Sequence, residues 1–576
     1  MRALAPLLVV CAGLLAYANT FDGHWVWDDA SSVLLHEHVQ APARVLAQFQ
    51  VGELDSGEVV PAFFGAFAQL FREDQHAFGR GEGNFYRPLL SVTFAIDYLL
   101  TVPASELLEG QAPSNPGVLW FHAQSLLWHV LAALGLLAVL RRLGAPPLVV
   151  LAVPLLWVLH PLHTEAVAYI SGRADMMSGT FVFWGLYFAL GAGSGARGIA
   201  SIAASAACFV LGLCSKEATL IFPVVLVPCV LLRQHPESTT KSIARFIPVA
   251  LSFVILGGYI FLRSTVLKFA EAGASQAAPL GQRLVETVQS FGYYIGLLFW
   301  PVGLHMERTL EGAGWGAALF GGLCLAALIA LAVVAALRGQ RRITLAVAWF
   351  LLTWLPISGV FPLNAPLAEH WMYVPMAGFW WAVFECLALI PTSSPLRAAG
   401  PALATMLVVV FLSLTVLRNA DWHSNERLFL ATLRENPETV RVHYNLAVTY
   451  GDLDHETAAA ERHYKAVVKL RGGAPTDDNR ESQLSLGLLA LDAARPIEAL
   501  PHFAAVLQDP ASAEKGIAPE AWLGAFRAAV AAGDLAAAMQ QFASPLAQNP
   551  ALVDAAGRFI QGAPLTESPD YPGLLP

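Results

Sequence analysis

Charge is scarce in this sequence. Asp, Glu, Lys and Arg make up 13% of 576 residues, about half of the roughly 25% usual in soluble domains, which excludes a chain that meets water over most of its surface. The six cysteines, Cys11, Cys208, Cys214, Cys229, Cys324 and Cys386, all fall in apolar runs. They read as core fillers, so neither a disulfide framework nor a Cys-rich zinc module is expected. No dense basic stripe occurs and the net charge is −9, which excludes a nucleic-acid surface. A Gly-rich phosphate cradle is missing too, as are the mid-span charges and repeated halves of a transporter. What fills the chain is apolar: 56% of it is hydrophobic. The expectation is an all-α polytopic membrane protein with a soluble appendage.

Apolar runs long enough to cross lie near 3–19, 117–140, 147–161, 174–192, 199–213, 217–233, 245–264, 313–336, 343–360, 371–391 and 399–417. Arg2 before the first run and Ala16-Tyr17-Ala18 after it also resemble a cleavable signal, but an uncleaved span keeps the acidic run that follows anchored. Either way residue 20 onward falls outside. Arg141-Arg142, Arg197, Arg233 with Lys241 and Arg245, Arg338 with Arg341-Arg342, and Arg397 occupy alternate connections, which the positive-inside rule assigns to the cytoplasm. That alternation closes only if 288–304 is re-entrant or lies on the surface. About eleven spans result, with the N-terminus inside and the C-terminus outside.

The first outer stretch is Phe21-Asp22-Gly23-His24-Trp25-Val26-Trp27-Asp28-Asp29. Paired carboxylates beside a span can serve as base, metal ligand or helix cap, and Trp25 and Trp27 suit the interfacial belt. This topology gathers further polar residues on the same side. The long loop 20–116 adds Asn84-Phe85-Tyr86-Arg87-Pro88 and an amphipathic helix through Asp97-Tyr98. Then come His160-Pro161-Leu162-His163-Thr164-Glu165 with Ser171-Gly172-Arg173-Ala174-Asp175, the tight turn Ser215-Lys216-Glu217, His305-Met306-Glu307-Arg308, and Asn364 with Ala368-Glu369-His370-Trp371-Met372-Tyr373. Ionisable groups at membrane depth are costly and mark a substrate path.

Each cluster has a duller reading. Lys216 and Arg173 at helix starts suit a phosphate, or they pair with their neighbours, Lys216 with Glu217 and Arg173 with Asp175. His160, His163 and Glu165 could ligate a divalent metal, but their spacing is no known ligand signature, which favours hydrogen-bonded structural histidines. Tyr86-Arg87-Pro88 either contacts ligand or anchors a loop helix that starts at proline.

After Arg418-Asn419-Ala420-Asp421-Trp422 the character changes. His443-Tyr444-Asn445-Leu446-Ala447 with Tyr450 and Tyr464, then Leu486-Gly487 with Ala499 and Phe503, then Trp522, Gly533, Ala538, Phe542 and Pro550 form about three units. Tyr464, Phe503 and Phe542 step by 39 residues, more than the tetratricopeptide period of about 34. Long links such as Arg471-Gly472-Gly473-Ala474-Pro475 take up the excess. The expected division is 1–420 for the membrane domain and 421–576 for a tetratricopeptide solenoid, a type of surface that binds proteins.

Taken together, Trp27-Asp28-Asp29, Phe85-Tyr86-Arg87-Pro88-Leu89, His160-Pro161-Leu162-His163-Thr164-Glu165-Ala166-Val167, Ser171-Gly172-Arg173-Ala174-Asp175, Ser215-Lys216-Glu217 and Ala368-Glu369, followed by the repeats, resemble the transmembrane and tetratricopeptide repeat family of O-mannosyltransferases and its bacterial relatives. The resemblance implies a C-type glycosyltransferase. It would move a sugar, mannose by likeness, from a polyprenyl- or dolichyl-phosphate to a Ser or Thr hydroxyl of a polypeptide at the periplasmic or lumenal side. It implies a first-loop acid, Asp28 or Asp29, as the base of an inverting displacement. Tyr86, Arg87, His160, His163, Glu165, Arg173, Asp175, Lys216, Glu217, His305, Arg308, Glu369 and Tyr373 would be the donor-phosphate and substrate set. No cofactor and no metal site is expected, and no nucleic acid; a bacterial inner membrane is favoured over an ER membrane. Where many relatives read Glu-Arg before an aromatic, this chain has Glu369-His370-Trp371. The alternative is a membrane scaffold that presents repeats without catalysis.

Overall fold

The computed structural model describes residues 4–72, 75, 85–108, 115–193, 195–232, 244–265, 278–310, 312–361, 363, 365–391, 393–453 and 455–533. Asn84, Arg233, Lys241, Asn364, Ala538, Phe542 and Pro550, singled out above, lie outside the described residues. Every regular element among the described residues is helical, as an apolar chain that must satisfy its own backbone requires. The chain divides into two compact units, Met1–Leu428 and Phe429–Pro576.

Among the described residues of the first unit, five helices are long and apolar enough to cross a membrane: Gly117–Arg142, Ala196–Leu213, Ala244–Thr265, Trp315–Leu337 and Pro395–Trp422. The pair Pro147–Val158 and Pro161–Ala168 passes the same test together but is bent by 48°. The bend follows from Pro161, which cannot donate and holds His160 extended at φ −74°, ψ 128°. Leu4–Thr20, Pro88–Thr101 and Glu217–Leu232 are apolar but shorter. The chain is a multi-pass membrane protein.

The core between these helices is built on fully buried tryptophans, Trp157, Trp349, Trp380 and Trp381. Trp157 Nε1 donates to the Tyr373 carbonyl at 2.8 Å and Trp349 Nε1 to that of Val374 at 3.1 Å, whereas Trp380 Nε1 is buried without a partner among the described residues. Those bonds also pin the residues just before the helix Pro375–Ala388.

Two ends of the bundle are chemically distinct. Arg142, Arg338, Arg341 and Arg342 meet around one cavity at one end, so the basic connections 141–142 and 338–342 share a side, as their alternation requires. At the other end lie the segments that carry the acids. Asn19 Nδ2 donates to Val416 O, Ser171 N to Asp29, His305 N to Glu369, and His370 N to Glu165.

Of the segment 288–304, residues 288–299 belong to one unbroken helix, Leu280–Phe299, and 300–304 follow it as irregular chain. It lies along Trp315–Leu337 at backbone contact, since a Cβ on Gly292 would come within 3.0 Å of Gly321 Cα. Near its start Arg283 donates to Val360 O, in its middle Gln289 donates to Ala313 O, and beyond its end His305 reaches Glu369. All three partners precede or follow spans at the acidic end.

In the second unit Val440–Val448 packs with Thr457–Arg471, Asp477–Asp492 with Pro496–Gln508, and Ala518–Ala531 against Pro496–Gln508. Phe503 is fully buried in a slot that glycine leaves open: a Cβ on Gly487 would come 2.6 Å from its ring, and one on Gly524 would collide as well. The aromatic at the 39-residue step therefore fills the space between the helices Asp477–Asp492 and Ala518–Ala531.

Candidate active site

The two adjacent acids sit in different surroundings. Asp29 is fully buried. Its carboxylate accepts from Val26 N at 3.1 Å and from Ser171 N at 2.8 Å. Burial pushes its pKa up to about 7, against the pull of those N–H groups. Asp28 is half-buried and hydrogen-bonds the Tyr169 hydroxyl. Between Val26 and Asp28 the backbone takes an unusual turn: Trp27 adopts φ +51°, a left-handed conformation costly for a bulky side chain. It is held there by Asn425 Oδ1, which accepts from Trp27 N at 2.7 Å, and by stacking on Tyr169 at 5.7 Å. A single π-turn, Ala30–Leu34, follows. Asp29 stands at the N-cap position of this turn, but its side chain makes no cap bond there.

Four further charges pair close by, with partners other than those the neighbouring residues suggested. Lys216 Nζ donates to both Asp175 oxygens at 2.7 Å. Arg87 bridges Glu217, at 3.0 and 3.2 Å, and Gln75 Oε1, at 2.7 Å, while its guanidinium lies over Phe85. Burial depresses the Lys216 pKa while Asp175 opposes the shift. Asp175 stands in the first turn of Arg173–Ala189, four residues along the chain from Ser171, whose N–H holds Asp29. Tyr86 is buried and donates to Phe71 O at 3.2 Å, which makes it an anchor of the loop.

Arg173 does not reach this site. The expected phosphate contact gives way to a buried ion pair with Asp97 at 2.6 Å, both side chains at zero exposure. Its remaining donors go to Thr93 Oγ1, Ser125 Oγ and the Phe121 carbonyl, and its plane lies over Phe94. A guanidinium so enclosed braces helices and has no open face for a ligand.

A second charged group surrounds Glu369. One oxygen accepts from His305 N at 2.6 Å and Arg308 Nη2 at 3.0 Å, the other faces Arg418 at 3.5 Å. Arg418 also pairs with Asp421 at 3.0 Å. Glu165 binds His370 through both the ring, at 2.9 Å, and the backbone N–H, at 2.9 Å. Burial and Arg308 hold His305 down to about 4, so its ring is neutral. Tyr169 links the two groups, stacked with Trp27 on one side and 5.6 Å from Trp422 on the other.

His160, His163 and Tyr373 lie deeper. His160 Nε2 bonds the Leu298 carbonyl at 3.1 Å. Tyr373 hydroxyl bonds His129 Nδ1 at 2.8 Å, and its ring lies 4.5 Å from that of His163. His160 is thus hydrogen-bonded in the interior, whereas neither ring nitrogen of the buried His163 meets a hydrogen-bond partner among the described residues. No three His, Cys, Asp or Glu side chains among the described residues converge as metal ligands. Arg418 and Tyr169 were missed as site-forming residues: Arg418 read as part of a domain junction, and nothing in the sequence marked Tyr169.

No family model matches the chain, and no solved structure matches it. It is similar to the Mus musculus protein O-mannosyl-transferase TMTC4, 24% identical over 522 residues that cover 79% of this chain and 65% of the relative. It is also similar to the Caenorhabditis elegans protein O-mannosyl-transferase F38B6.6, 23% identical over 484 residues, 81% of this chain and 62% of the relative. The Homo sapiens protein O-mannosyl-transferase TMTC1 is 24% identical over 532 residues, 81% and 55%. The chain thus spans less than two thirds of the length of these relatives. The motifs at the acidic end and these likenesses agree, and the chain is a relative of the transmembrane and tetratricopeptide repeat O-mannosyltransferases.

Proposed function

We propose that this chain is an inverting C-type glycosyltransferase that moves a mannosyl group from a polyprenyl or dolichyl phosphate to a Ser or Thr hydroxyl of a polypeptide. In this reading about eleven spans frame the site, the helix Leu280–Phe299 does not cross, and the acidic end faces the periplasm or lumen. The chain then sits in a bacterial inner membrane, and its tail, a short tetratricopeptide solenoid, holds the acceptor. The observation that carries the reading is the asymmetric pair Asp28 and Asp29, set by a strained Trp27 and tied to Ser171, four residues before the Asp175 that pairs with Lys216.

Asp29, with an oxygen on each of two backbone N–H groups, orients the turn. Asp28, half-buried beside it, takes the acceptor proton as the hydroxyl oxygen attacks the anomeric carbon. The bond from that carbon to the phosphate oxygen breaks, and the lipid phosphate leaves with the electron pair. Lys216 keeps one N–H beyond the two that meet Asp175, and Arg87 lies beside it. Both are placed to stabilise the departing phosphate, where negative charge develops. No metal is assigned a step.

Incubating the purified chain with polyprenyl-phosphate mannose and a Ser/Thr peptide tests this. The product should carry the anomer opposite to that of the donor. Retention of the donor's anomer would contradict single displacement, and no transfer with any lipid-phosphate sugar would favour the scaffold alternative.

A further inference from the structure

The opposite end of the bundle holds a second polar site that sugar transfer does not use. A cavity of about 400 Å³ opens where the helices Asn115–Arg142, Trp315–Leu337 and Arg341–Trp354 end or begin. Arg142, Arg338, Arg341 and Arg342 line it with Gln340, and Glu385 is the one carboxylate among its described lining residues. Seventeen residues of helix, roughly 26 Å, separate Arg142 from Ser125 at the acidic end. This cavity is therefore distinct from the transfer site.

The arginines differ in how far they are committed. Arg142 donates to Tyr187 O at 2.7 Å and lies over the Tyr187 ring, which fixes it as a wall. Arg342 is held by Glu385 at 3.0 and 3.2 Å. Arg338 and Arg341 are exposed at the rim. One carboxylate against four guanidinium groups leaves the cavity strongly positive, and the first turn of Arg341–Trp354 adds the positive end of a helix dipole. Guanidinium forks match phosphate oxygens in shape as well as charge.

We propose that this cavity binds a phosphate-ester anion, and that in the membrane its occupant is the headgroup of an anionic phospholipid. Its place at the ends of apolar helices presents it to headgroups, and basic residues there attract anionic lipid. The site would then bias the bundle toward membranes with anionic lipid on the basic side.

The test uses the full-length chain in neutral detergent with three probes: phosphatidylglycerol, phosphatidylcholine and inorganic phosphate. Phosphatidylglycerol should raise the unfolding temperature and be retained in native mass spectra. The double variant Arg338→Gln/Arg341→Gln should weaken its retention by roughly tenfold or more, as loss of charge-assisted hydrogen bonds predicts. Both residues are exposed, so the variant should unfold like wild type without lipid. An equal response to inorganic phosphate would assign the site to a free phosphate rather than to a headgroup. Equal retention of phosphatidylcholine, or no loss in the double variant, would overturn the proposal.

Discussion

Arg173 and Asp97 allow the sharpest separation of structure from chemistry. Both side chains are at zero exposure and 2.6 Å apart, so Arg173→Met leaves the Asp97 carboxylate buried without a counter-charge. Breaking such a pair costs about 3–5 kcal/mol, whereas replacing both partners with apolar side chains of similar size is often close to neutral. The single variant should therefore lower the folded-to-unfolded ratio by roughly 10²–10⁴-fold. Arg173→Met/Asp97→Leu should regain most of it. The assay is unfolding of the purified chain in detergent, followed by binding of polyprenyl-phosphate mannose. If Arg173 is a brace, the double variant folds and binds donor as wild type does. A double variant that folds yet binds donor tenfold less tightly would return Arg173 to the phosphate site and refute the reasoning.

Three more outcomes follow from the same geometry. Asp29, raised to about 7 from an ordinary 3.8, contributes stability that is fully present below about pH 4 and is lost as pH rises through 7; unfolding scans from pH 5 to 8 should show a decline that Asp29→Asn flattens. Gly179→Ala places a Cβ 2.5 Å from the buried Tyr373 ring and should cost about 1–3 kcal/mol in the same unfolding assay. Deleting 429–576 should reduce transfer to long polypeptides while a short Ser/Thr peptide is still modified, because only remote binding energy is lost.

Much of this arrangement was legible in the sequence, and the limits of that legibility have physical causes. Apolar runs and the alternation of arginines mark helices and their ends because a bilayer penalises charge wherever it falls. The acidic-end motifs could be grouped for that reason alone. Which charges pair could not be read, because partners are set by which helix ends abut. Lys216 passes over its neighbour Glu217 for Asp175, Glu217 takes Arg87 from 130 residues away, and Arg173 takes Asp97. The different environments of Asp28 and Asp29 were equally hidden, since they arise from a positive φ at Trp27 and a hydrogen bond to Asn425 almost 400 residues on. Within the second unit the aromatic spacing did locate Phe503, because a helix pair admits a ring where the facing residue is glycine.

In the proposed mechanism Asp28 removes the acceptor proton while Asp29 holds the turn. Single-turnover transfer from polyprenyl-phosphate mannose to a short Ser/Thr peptide, compared for wild type, Asp28→Asn and Asp29→Asn, tests it directly. Asp28→Asn should keep fold and donor binding but slow transfer by about 10²–10⁴-fold, with a smaller loss for Asp29→Asn. Equal and small losses in both, with donor binding intact, would contradict it.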